Sequence, residues 1–224
     1  MQTVGILPRV TATGVLLVIA AVFALGDWVA VHQRRRHLEY LLKPGTLVVL
    51  VAAAIVADLG AEQPWVVGAL VLGLLGDVGL MLSSGSTDPP FIAGLGAFLF
   101  GHICYLIAFA IVGLDGLATI AGLLVAGGIA GLTLPAVLRG AARSAGVVFA
   151  GIVGMYASVL AAMTVLGVGT GIVAVAVGAT SFLCSDTLIG RERFVAPVRH
   201  GKVLIIVTYH LAQFLILIGL TYGA

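Results

Sequence analysis

Apolar stretches of about 20 residues follow one another along almost the whole chain, and the charges are confined to short segments between them. A helix rises 1.5 Å per residue, so about 20 apolar residues are needed to cross roughly 30 Å of hydrocarbon. Only 9% of the residues are charged, whereas a water-soluble domain carries roughly a quarter. That excludes a soluble globular fold. Breaks at charges, Pro and Gly predict helices over 10–31, 43–58, 64–83, 91–113, 116–138, 145–167, 170–190 and 201–222. The chain thus reads as all-α, a polytopic membrane bundle of about eight transmembrane helices forming a single domain over 1–224. The first stretch has no small-x-small cleavage site, so it is expected to be a retained helix, not a signal peptide.

Lys and Arg set the orientation. Arg34, Arg35, Arg36, Lys43, Arg139, Arg143, Arg191, Arg193, Arg199 and Lys202 all fall on one side of an eight-helix bundle, leaving Arg9 on the other. This segregation places the basic loops in the cytoplasm and both termini outside it. Arg in excess of Lys, with abundant Gly, Ala and Val, points to a GC-rich bacterium and hence to its plasma (inner) membrane. The expected partner is membrane lipid, with no nucleic acid; oligomeric state is not legible. Cys104 and Cys184 lie in apolar stretches without metal-ligand spacing, which fits small buried residues. The 31 glycines suit close helix packing in lipid, as in Gly127-x-x-x-Gly131 and the pair Gly73 and Gly76.

Polar residues inside such a slab are costly, by about 2.5 kcal/mol or more for a mid-depth acid, and therefore mark function. Asp77 lies well within the third predicted helix and Asp186 about one turn from the end of the seventh. Asp27, near the arginines, reads as a solvated or paired charge. His102 and Tyr105 share a face of the fourth helix, as do Tyr209 and Gln213 on the eighth, with His210 turned away from Tyr209. Lys43 begins the second helix just before Pro44. All of these fall in the half of the bundle nearest the basic loops. Those loops offer cations for a phosphate headgroup, Lys43, Arg191 and Lys202 being nearest. A lipid substrate drawn from the inner (cytoplasmic) leaflet fits that arrangement.

The run Lys43-Pro44, Gly76-Asp77-x-x-Leu80-Met81, Phe91-x-x-Gly94-x-x-x-Phe98-x-x-Gly101-His102-x-x-Tyr105, Ser185-Asp186 with Phe194 after it, and Tyr209-x-x-x-Gln213 resembles the lysoplasmalogenase (YhhN-like) family of integral membrane hydrolases. The resemblance spans residues 43 to about 214. It implies hydrolysis of the vinyl ether bond of a lysoplasmalogen, a lysophospholipid, giving a fatty aldehyde and a glycerophospho-headgroup. It also implies Asp77 and Asp186 as the catalytic pair. Lys43, His102, Tyr105, Tyr209 and Gln213 would orient the acids or bind substrate. The chemistry suits two acids in one dry site, one protonated to attack the β-carbon and one ionised to stabilise the resulting oxocarbenium ion. Which acid plays which part is open at this stage. No metal or other cofactor is expected. The alternatives are a metal-dependent lipid hydrolase using Asp77, His102, Asp186 and His210, and a proton-coupled lipid or small-solute transporter.

Overall fold

The computed structural model describes residues 6–85 and 87–223, with side chains from residue 10 onward. It is all-α: α1 (Ile6–His32), α2 (Arg36–Val56), α3 (Gln63–Leu82), α4 (Pro89–Val112), α5 (Gly116–Gly169), α6 (Val173–Phe194) and α7 (Gly201–Tyr222), with a short 3-10 turn at Gly60–Glu62. All seven helices are long and apolar enough to cross a membrane. Their outer faces expose large apolar side chains, Leu132 at 86%, Val148 at 81% and Val147 at 80% among them. Water would penalise such a surface and lipid does not.

The fifth element is 54 residues long, far more than one crossing needs. Gly146 breaks it, with φ 85° and ψ 170°, a conformation open to glycine but not to residues with a Cβ. The two arms fold back to back. Gly122 abuts the backbone of Val165, Leu138 reaches Gly154, and the Asp115 N–H donates to the Gly169 carbonyl at 2.8 Å. The fifth and sixth predicted helices are thus both present, joined by a helical bend where a loop was expected. Arg139 and Arg143 accordingly sit on helix.

Two other boundaries differ from the sequence reading. α2 begins at Arg36, so Lys43 lies two turns inside it and does not start it. Pro44 is carried within the helix: its ring holds a helical φ, at the cost of one backbone hydrogen bond and of crowding against the Tyr40 carbonyl. The Tyr40 hydroxyl ties this extra length to α3 by donating to the Met81 carbonyl at 2.8 Å. α6 continues to Phe194, which places Asp186 two turns from its end and not one.

The segments bearing the arginines meet at one end of the bundle. Arg193 Nη1 donates to the Gly85 carbonyl at 2.9 Å, Gly140 packs on Phe194, and one cavity joins residues 31–39 to 192–203. Arg9 lies in the first turns of α1, and its side chain falls outside the described residues. At the basic end, Asp88 caps α4 by accepting from the N–H groups of Ser84, Gly85 and Phe91 at 2.7–3.2 Å. These bonds, that of Ser84 first, hold its carboxyl down at a pKa of about 2.

Glycine packing is real on α3 and absent where the GxxxG pattern is strongest. A Cβ at Gly79 would stand 2.7 Å from Gly94 Cα and 2.9 Å from the Pro90 carbonyl oxygen, both immovable backbone. At Gly127 and Gly131 nothing lies within 4 Å, so that pair does not pack inside this chain. Gly79→Ala is therefore expected to cost about 1–3 kcal/mol in unfolding in detergent. Gly127→Ala is expected to leave stability unchanged or raise it. Equal effects from the two would contradict the close α3–α4 approach.

Candidate active site

Sequence-predicted polar residues converge from five elements into two linked groups. In the first, Lys43 on α2 reaches Asp77 on α3, with Nζ 2.8 Å from Oδ1. Of the two parts expected for this lysine, orienting an acid or binding substrate, this contact fits the first. Asp77 is 1% exposed, and an anion so deeply placed needs a counter-charge. The same ammonium lies over the Tyr209 ring, 5.7 Å from its centroid. Tyr209 can approach because position 73 is glycine. A Cβ there would come within 3.2 Å of the tyrosine hydroxyl and 3.1 Å of Gln213 Nε2.

The second group centres on Asp186 of α6. His102 Nε2 stands 3.3 Å from Asp186 Oδ2, and the Tyr156 hydroxyl donates to that same oxygen. Between the groups, Tyr105 donates to Gln213 Oε1, tying α4 to α7. Phe182 is the wedge they share, with its ring centroid 4.7 Å from His102, 5.5 Å from Tyr209 and 6.3 Å from Tyr105. The two acids thus stand on either side of the Phe182 wedge, each with its own partners.

Asp186 faces an open space. A narrow cavity of about 100 Å³ lies between α4, both arms of α5 and α6. Its walls are apolar, with Phe98, Leu134, Val153, Leu160 and Leu183 prominent. Its polar groups are Asp186, Tyr156, Thr133 and Thr187. Phe91 and Phe194 line its end towards the basic loops, where the Arg193 guanidinium lies 4.7 Å from the centre of the Phe91 ring. Arg193 is therefore the cation that borders the cavity. Lys202, by contrast, lines a separate polar cavity with Arg34, Arg36 and Glu39, and Lys43 is engaged with Asp77.

Two residues, Tyr156 and Asp27, were missed or misread in the sequence. Tyr156 is the lone tyrosine of α5, and nothing in its neighbourhood marks it out; only the fold brings it to Asp186. Asp27, read as a solvated or paired charge, is fully buried. Trp28 beside it donates Nε1–H to His210 Nδ1 at 3.1 Å, so His210 faces α1. No group of three or more His, Cys, Asp or Glu among the described residues is arranged to hold a metal ion.

Tyr156→Phe removes the hydroxyl that holds Asp186 without disturbing the ring. A hydrogen bond to a charged or charge-developing group is worth about 1.5–3 kcal/mol. Turnover is therefore expected to fall about 10- to 100-fold with little change in thermal stability. Wild-type turnover in this variant would separate Tyr156 from the centre.

These features define an integral membrane protein built around buried acids beside an apolar cavity. The chain belongs to the YhhN family, whose pattern matches residues 38–220. Proteins named lysoplasmalogenase from Mycobacterium bovis and Mycobacterium tuberculosis are each 30% identical to it over 203 residues, covering 83% of this chain and 71% of theirs. No solved structure matches it.

Proposed function

We propose that the chain is a membrane-embedded hydrolase cleaving the vinyl ether bond of a lysoplasmalogen, the activity for which its mycobacterial relatives are named. The observation that carries this reading is the cavity itself. It is a greasy space suited to an alkenyl chain, with one carboxyl group on its wall and a tyrosine and a histidine bonded or close to that carboxyl.

Asp186 is the general acid, because it is the acid that lines the cavity. Its proton goes to the β-carbon of the vinyl ether, and the electron pair of the double bond forms the new C–H bond. The α-carbon and ether oxygen are left as an oxocarbenium ion. Water adds to the α-carbon and returns a proton to the Asp186 carboxylate. The hemiacetal then collapses to a fatty aldehyde and the free glycerol hydroxyl of the headgroup. Asp77 supplies fixed negative charge that favours the cation, as a carboxylate does for the related cation in glycosidases. Lys43 and Tyr209 hold it in place. His102 and Tyr156 orient Asp186, and the bonded pair Tyr105–Gln213 keeps α4 and α7 in register behind them.

In this reading the basic end faces the cytoplasm, both termini lie outside it, and the substrate enters from the inner leaflet of a bacterial plasma membrane. Arg193 at the cavity rim is the first cation available to its phosphate. The direct test is purified protein in nanodiscs mixed with a lysoplasmalogen, with and without a chelator. Aldehyde release insensitive to chelation is expected. Proton-gradient-driven uptake of lipid without product would replace the hydrolase by a transporter.

A further inference from the structure

α1 precedes the residues that the family pattern covers, yet it places a third acid beside the centre. Asp27 is 0% exposed, and neither carboxylate oxygen has a hydrogen-bond partner among the described residues. A buried carboxylate kept in that state needs a nearby cation or water. α1 packs closely on α2 at this level, since the Phe23 ring fills the space a Cβ at Gly45 would need and Leu42 lies against Gly26. The turn of α1 that carries Asp27 thus faces the turn of α2 that carries Lys43, and Lys43 is the cation in its electrostatic surroundings. The Lys43 ammonium carries three N–H donors, and the ion pair with Asp77 Oδ1 accounts for one of them.

The surroundings point the same way. Trp28, next in sequence, is locked to His210, which fixes the rotation of α1 against α7 and keeps Asp27 turned inward. The polar cavity between α1, α2 and α7 is lined by Val31, one turn above Asp27, and by Glu39, one turn above Lys43. This polar cavity thus ends one helical turn from both residues.

We propose that Asp27 is a positioning residue of the reaction centre, sharing the Lys43 ammonium with Asp77 and so fixing where the Asp77 carboxylate stands. This rests on the hydrolase reading for its consequence in turnover, but the shared cation can be tested without it. Asp27 touches neither the substrate cavity nor Asp186, so its effect travels through Lys43.

The experiment is a double-mutant cycle in nanodiscs. Wild type, Asp27→Asn, Lys43→Met and the double variant are compared in kcat, KM and Tm, with Lys43→Gln as a second background and Asp27→Glu as the conservative variant. Asp27→Asn is expected to lower kcat about tenfold, as for loss of a charge-assisted bond, with KM nearly unchanged and partial recovery in Asp27→Glu. In either Lys43 background the further loss from Asp27→Asn should vanish, and the Tm losses should fall well short of additive. Independent, additive effects in kcat and Tm would overturn the proposal, as would wild-type kcat in Asp27→Asn. If wild type releases no aldehyde, the hydrolase reading fails. The Tm cycle then still decides whether Asp27 shares the ammonium, since additive losses would exclude it.

Discussion

Asp186→Asn is expected to release aldehyde about 10³-fold more slowly than wild type, within the 10²- to 10⁴-fold that a positioned general acid contributes. The amide is nearly isosteric and still accepts from the Tyr156 hydroxyl, which in the wild type bonds Oδ2. The His102 contact at 3.3 Å is kept as well. What it lacks is a proton acidic enough to give to carbon. Carbon protonation has no substitute donor here, because the other polar groups on the cavity wall are a phenol and two threonine hydroxyls. Thermal stability should change little, since no buried charge is left unpaired. Steady-state aldehyde release, together with a melting curve of the same preparation, checks both halves of the expectation. Turnover within threefold of wild type would remove Asp186 from the chemistry.

Lys43→Met should be the most destabilising of the site substitutions, by about 3–5 kcal/mol. It strands Asp77, 1% exposed, without the cation 2.8 Å away. Breaking a buried pair from one side leaves an uncompensated charge, whereas replacing both partners by neutral groups of similar size is often close to neutral. Adding Asp77→Asn to Lys43→Met should therefore recover part of the lost stability, Asp27 still lacking the shared ammonium, while leaving the protein inactive. Denaturation of the two variants in the same detergent decides it. A double variant no more stable than Lys43→Met would mean that the ion pair does not hold α2 to α3.

The membrane fold was legible because hydrophobic length and charge segregation are strong, local signals. The division at Gly113–Gly116 and the start of α7 at Gly201 both emerged from the sequence. The bend at Gly146 was harder to place, since its neighbours are helix formers and only the positive φ of one glycine turns the chain. The start of α2 was misplaced for a related reason. Pro44 reads as a boundary when its helix-compatible φ is set aside, and shifting that boundary moved Lys43 from an interface to the heart of the site.

Among the site residues, Asp77, Asp186, His102, Tyr105, Tyr209 and Gln213 stood out because polar groups are conspicuous in apolar helices, and the structure gathers all of them. Their partners were not legible. That Lys43 belongs to Asp77, or that Tyr156 on a distant helix belongs to Asp186, depends on helix rotation and crossing, which one sequence does not encode locally. Asp27 was misread because its distance from Arg34 along the chain looks like a surface pairing. In the fold its helix face turns inward, held by Trp28 on His210.

The central claim is that the cavity acid protonates carbon. Hydrolysing a lysoplasmalogen in D₂O with the purified protein tests it most directly, by mass spectrometry of the aldehyde after immediate trapping. The expected result is one deuterium at the carbon next to the aldehyde, formed by wild type and lost with turnover in Asp186→Asn. Aldehyde free of that deuterium, or labelled aldehyde formed equally fast by Asp186→Asn, would contradict it.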